Sequence, residues 1–68
     1  MIKNKIGENA GIIWTVLNEN TEMNIKNLKK ITMLSEKDIL LALGWLSKEN
    51  KVLFWGDEKN YKICLTEN

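Results

Sequence analysis

The stretch Leu34 to Val52 constrains the fold of this chain most, because it reads as a long helix running directly into a strand. Ser35 is a good N-cap, and Asp38 stands at the third helical position, where a capping box places an acceptor. Leu34 and Ile39 have the spacing of a hydrophobic staple. On a helical wheel Ile39, Ala42, Leu43 and Leu46 form one arc, with Lys37, Leu41, Trp45 and Lys48 roughly opposite and Leu40 and Gly44 flanking them. The start of this helix is well specified, and its apolar arc predicts a core behind it.

Upstream, apolar residues at Ala10, Ile13, Trp14 and Leu17 predict a first helix from about Gly7 to Asn18, with that face in the core. Ile12 and Val16 lie well off this face, so the helix carries more apolar surface than one core contact uses. Residues 18–22 are a polar turn, and Met23 is read as a short strand. Asn24 caps a second helix, Ile25 to Thr32, for which Met23 and Leu28 repeat the staple spacing. Ile25, Leu28 and Ile31 are expected inward; Lys26, Lys29 and Lys30 outward. The tight link at 32–34 makes helices two and three a helix-turn-helix pair.

Downstream, residues 51–55 and 61–65 are strand-like runs, and Gly56, Asp57 and Asn60 supply turn formers between them. They predict a hairpin, of which either Val52 and Phe54 or Leu53 and Trp55 face the core. Helix, short strand, helix, helix, hairpin is the element order of a winged helix-turn-helix. The expected fold is therefore α+β, one domain over residues 1–68 with three helices and a C-terminal hairpin wing.

Composition narrows the chemistry. Ten cationic and nine acidic side chains leave a formal charge of +1, so no global field draws the chain to DNA or to an anionic membrane. All the cations are lysines. With no arginine the commonest reader of guanine is missing, and with no histidine the commonest neutral-pH base and metal ligand is missing. There is no Gly-rich phosphate loop and no Cys/His cluster. The lone Cys64 lies in an apolar strand, where it reads as a small core hydrophobe rather than a nucleophile. Carboxylate pairs at Glu36/Asp38 and Asp57/Glu58 belong to a cap and a turn. An enzyme, a metal site and a cofactor are not expected. The N-terminal residues hold no apolar run long enough for a signal peptide or a membrane span, so the expected compartment is the cytoplasm.

The segments Leu34-Ser-Glu-Lys-Asp38, Ala42-Leu-Gly-Trp-Leu46 and Glu49-Asn-Lys-Val52 resemble a family of small stand-alone bacterial winged-helix proteins of unknown function. The likeness covers nearly the whole chain, and its most specific piece is Ala42 to Leu46. It implies the winged-helix fold, DNA-binding ancestry and often a dimer, with no established activity.

In a DNA-binding helix-turn-helix the outward face of the third helix enters the major groove. Base edges must be met there by hydrogen-bonding side chains, and this chain has Leu40, Leu41, Gly44 and Trp45 instead. Glu36 and Asp38 in the first turn suit the helix dipole but oppose phosphate. The expected use of this face is homodimerisation or binding of another protein through Leu40, Leu41 and Trp45, joined by Ile12 and Val16. The alternative is a regulator that holds the DNA backbone through Lys26, Lys29 and Lys30 of helix two, Lys3 and Lys5, and Lys59 and Lys62 of the wing. Asp57 and Glu58 dilute that wing charge.

Overall fold

The computed structural model describes residues 2–66. Helix α1 spans Ile2–Glu19, α2 Ile25–Thr32 and α3 Glu36–Lys48; strands β1 (Val52–Asp57) and β2 (Asn60–Leu65) form an antiparallel hairpin. Helix α1 begins well ahead of Gly7: Ile6, partly buried, continues the spacing of Ala10, Ile13 and Leu17 for another turn, while Ile2 on the same face is 78% exposed. Trp14 corrects the expected core list: it is 39% exposed. It sits about 100° around the helix from the fully buried Ile13, on the flank of the apolar face rather than on it.

Both expected caps of the helix-turn-helix are present. The Asn27 N–H donates to Asn24 Oδ1 at 2.8 Å, and the Asp38 N–H donates to Ser35 Oγ at 3.1 Å. Between the helices Met33 takes a left-handed conformation, φ 62°, and its N–H donates to the Lys29 carbonyl. The Thr32 hydroxyl donates to the Leu28 carbonyl and accepts from the Leu34 N–H, which ties the turn down on both sides. Leu28 is buried and Ile25 partly so, but Ile31 is 54% exposed, against expectation. In a helix of two turns Leu28 takes the centre of the contact, and Ile31 falls beyond its edge.

Helix α3 ends where Asn50 enters the left-handed region, φ 58°. The Asn50 N–H donates to the Ser47 carbonyl and the Lys51 N–H to the Leu46 carbonyl. This pair of bonds closes the helix and turns the chain into β1 within two residues. The hairpin is longer than expected: β1 runs through Asp57, so the loop is Glu58–Lys59 alone. Asp57 Oδ1 accepts from the Lys59 and Asn60 N–H groups and folds that loop. Met23 makes its predicted strand contact as an isolated bridge to Ile63.

That bridge seats the hairpin. Residues paired across an antiparallel ladder share a face, so Val52, Phe54, Ile63 and Leu65 lie on one side and Leu53, Trp55, Lys62 and Cys64 on the other. Val52 and Ile63 are buried, which makes theirs the core side. They join Ala10, Ile13, Leu17, Met23, Leu28, Ile39, Ala42, Leu43 and Leu46 in one cluster, so the predicted inward arc of α3 is the observed one.

Gly44 is exposed in mid-helix, and a Cβ there would meet nothing within 4 Å. Glycine costs a helix interior about 1 kcal/mol relative to alanine. Gly44→Ala is therefore expected to stabilise the domain by about that amount and raise Tm by roughly 4–8 °C, measured by thermal unfolding.

Candidate interaction surface

The outward face of α3 presents Lys37, Leu40, Leu41, Gly44 and Lys48, all exposed. Leu40 is 45% and Leu41 43% exposed, so each leucine is half available to a second molecule. Trp45 behaves differently from its wheel neighbours. It is half-buried and packs against the core of its own chain. The reason is the crossing of α3 over α1, where Trp45 lines a cleft with Gly7, Ala10, Gly11 and Trp14.

Leu41 lies at the other end of that crossing, over a smaller cleft lined by Ile2, Lys5, Ile6, Asn9, Lys37 and Asp38. The structure therefore separates the expected set. Leu40 and Leu41 are open, Trp45 props the helix from behind, and Ile12, 46% exposed, and the half-buried Val16 line neither cleft.

The hairpin adds apolar surface that periodicity left undecided. Leu53 and Trp55 stand on the outer face, both about half exposed, and Lys62 lies 5.8 Å above the Trp55 ring. Such a contact is worth roughly 0.5–1 kcal/mol at an exposed site, and it occupies one of the lysines expected to reach phosphate. Phe54 leans edge-on against Tyr61, with centroids 6.1 Å apart, and remains partly exposed. The residue that resolves the two faces is Met23, whose bridge to the buried Ile63 puts Val52 in the core, while Phe54 on the same face stays partly exposed.

The remaining lysines are also divided. Lys26 and Lys29 of α2 and Lys59 of the hairpin loop line one polar cleft of about 480 Å³, together with Glu36 and Glu58. Lys30 is exposed outside it. Among the described residues no group of three or more His, Cys, Asp or Glu side chains could hold a metal ion, and no helix is long and apolar enough to cross a membrane.

The model of a winged helix-turn-helix domain family, DUF2582, matches residues 1–67. The chain belongs to that family. This winged helix-turn-helix domain is 34% identical over 64 residues to the uncharacterized protein MJ1608 of Methanocaldococcus jannaschii, a match covering 90% of each chain. Its fold is also similar to the solution NMR structure of protein BT2368 from Bacteroides thetaiotaomicron. There the TM-score is 0.86 at 37% identity, covering 96% of this domain and 79% of that chain.

Proposed function

We propose that this domain is a non-enzymatic, cytoplasmic binding module whose recognition-helix face takes a protein partner, in the simplest case a second copy of the chain. The observation that carries the reading is the pair of half-exposed leucines, Leu40 and Leu41, where a groove reader needs hydrogen-bonding side chains. Burying them would remove apolar surface from water at about 25 cal/mol per Å². Trp45 contributes by holding the helix against α1, and Ile12 and Val16 would extend the contact along α1.

A second reading has its own support. Lys26, Lys29 and Lys59 come from two separate elements onto one cleft, which suits a phosphate backbone, with Lys30 and Lys62 flanking. Glu36 and Glu58 in the same cleft weigh against it.

Sedimentation equilibrium from low to high micromolar, with duplex DNA retention at low salt on the same samples, tests both. The expected result is a wild-type mass of twice 7.9 kDa, and for folded Leu41→Lys a dimer weakened at least tenfold, with no DNA retained. A mass and partner profile unchanged by Leu41→Lys would sink the α3 reading. DNA retention abolished by Lys29→Gln, with Leu41→Lys silent, would establish the second.

A further inference from the structure

Asn9 stands where the spacing of α1 calls for an apolar residue. Ile2, Ile6, Asn9 and Ile13 follow one another at intervals of four, three and four, the row that faces the core. Asn9 is only 6% exposed, yet its side-chain amide makes no hydrogen bond among the described residues. Buried amides are ordinarily paired, because desolvating one without a partner is costly. The open side of Asn9 is the cleft beneath Leu41, about 240 Å³, which is more enclosed than either the Trp14 and Trp45 cleft or the lysine cleft.

Helices α1 and α3 both begin at this cleft. Its walls come from the first turns of each, so the positive ends of both helix dipoles meet there. Lys5 and Lys37 add two cations at the rim and Asp38 one anion; Glu36, the other acid in the first turn of α3, lines the separate lysine cleft instead. The local balance is therefore positive. The remaining wall is apolar, made of Ile2, Ile6 and Leu41. Water alone could pair with the amide, but it would leave Ile2 and Leu41 exposed. A molecule with an anionic head and a short apolar tail answers both needs.

We propose that this cleft binds a small aliphatic monocarboxylate, whose head accepts from the Asn9 amide N–H between Lys5 and Lys37 and whose tail lies along Ile2, Ile6 and Leu41. The volume is below the roughly 300–1,000 Å³ of sites for drug-sized ligands, which restricts the tail to a few carbons. The site needs no protein on α3 and stands whether or not that face takes a partner.

NMR of the full chain, titrated with hexanoate, 1-hexanol and acetate as probes, tests it. Hexanoate should shift the Asn9 side-chain amide signals and the backbone signals of Ile6 and Leu41 saturably. It should bind about tenfold tighter than 1-hexanol, which keeps the tail, or acetate, which keeps the head. Asn9→Ala should weaken hexanoate about tenfold without lowering Tm, since the free domain loses no hydrogen bond. Lys37→Gln, at an exposed position, should weaken it about threefold. Equal binding of hexanoate and 1-hexanol would overturn the carboxylate head. Hexanoate shifts that never saturate, or that are confined to the Lys26 and Lys29 cleft, would overturn the site. A Tm lower by more than about 4 °C in Asn9→Ala would mean that the amide serves the fold rather than a ligand. Unchanged hexanoate affinity in Lys37→Gln would overturn the proposal independently of Asn9.

Discussion

Leu28→Ala is expected to cost the domain about 3 kcal/mol, within the 2–5 kcal/mol range for truncating a fully buried leucine. Leu28 is 0% exposed and is the buried residue of α2. That helix has eight residues, well below the length at which an isolated helix persists in water, so its order depends on docking. The Asn24 and Met33 caps and the Thr32 hydroxyl organise its ends, but none of them fastens it to α3. The loss is large beside the roughly 3–10 kcal/mol available to a chain of this size. Urea unfolding followed by circular dichroism should show it, with Tm falling by more than about 10 °C. Ile31→Ala, in the same helix, should stay within about 0.5 kcal/mol of wild type because its side chain is mostly in water already. Equal losses from the two variants would mean that α2 is rotated toward the face its sequence period suggested.

What the sequence disclosed follows from the range of the interactions involved. The bounds of α2, the start of α3 and its inward arc rest on caps and periodicity within a few residues, and all were legible. So was the helix-turn-helix, because Thr32 to Leu34 leaves no room for anything but a turn. The start of α1 was obscured by Lys3, Asn4 and Lys5 around Ile2 and by Gly7, which reads locally as a boundary. The two hairpin faces could not be told apart because both rows are apolar; the choice is made by Met23, forty residues upstream of Ile63. Trp45 was legible as apolar but not as half-buried, since the core it packs against and the cleft it lines are shared with α1, a helix distant in sequence. The leucines of α3 were legible as a departure from groove chemistry, because that departure is a matter of side-chain type alone.

Gly56→Ala should be the most damaging glycine substitution in the chain, costing about 3 kcal/mol, in contrast to the gain at Gly44. Gly56 has φ +112°, outside both the extended and the left-handed helical wells, where an L side chain is strained by its own backbone. Space is also missing: a Cβ would stand 2.6 Å from the Asn60 carbonyl oxygen and 3.0 Å from Tyr61 Cα. Both are backbone atoms of the paired strand, so no rotamer change relieves the contact. The loop gives the reason for this conformation. Glu58 and Lys59 do not take the positive φ angles that let a two-residue hairpin loop match strand twist, and Gly56 takes one instead, just inside the strand. Relieving the clash therefore means parting β1 from β2 at the tip, which loosens Phe54 from Tyr61 and displaces Asp57. Amide exchange separates this local opening from global unfolding. Amides near Asn60 should lose protection first, while Ile63, held by Met23, keeps it until the domain melts. Unchanged stability in Gly56→Ala would rule out the close approach of Gly56 to the Asn60 and Tyr61 backbone at the tip of the hairpin.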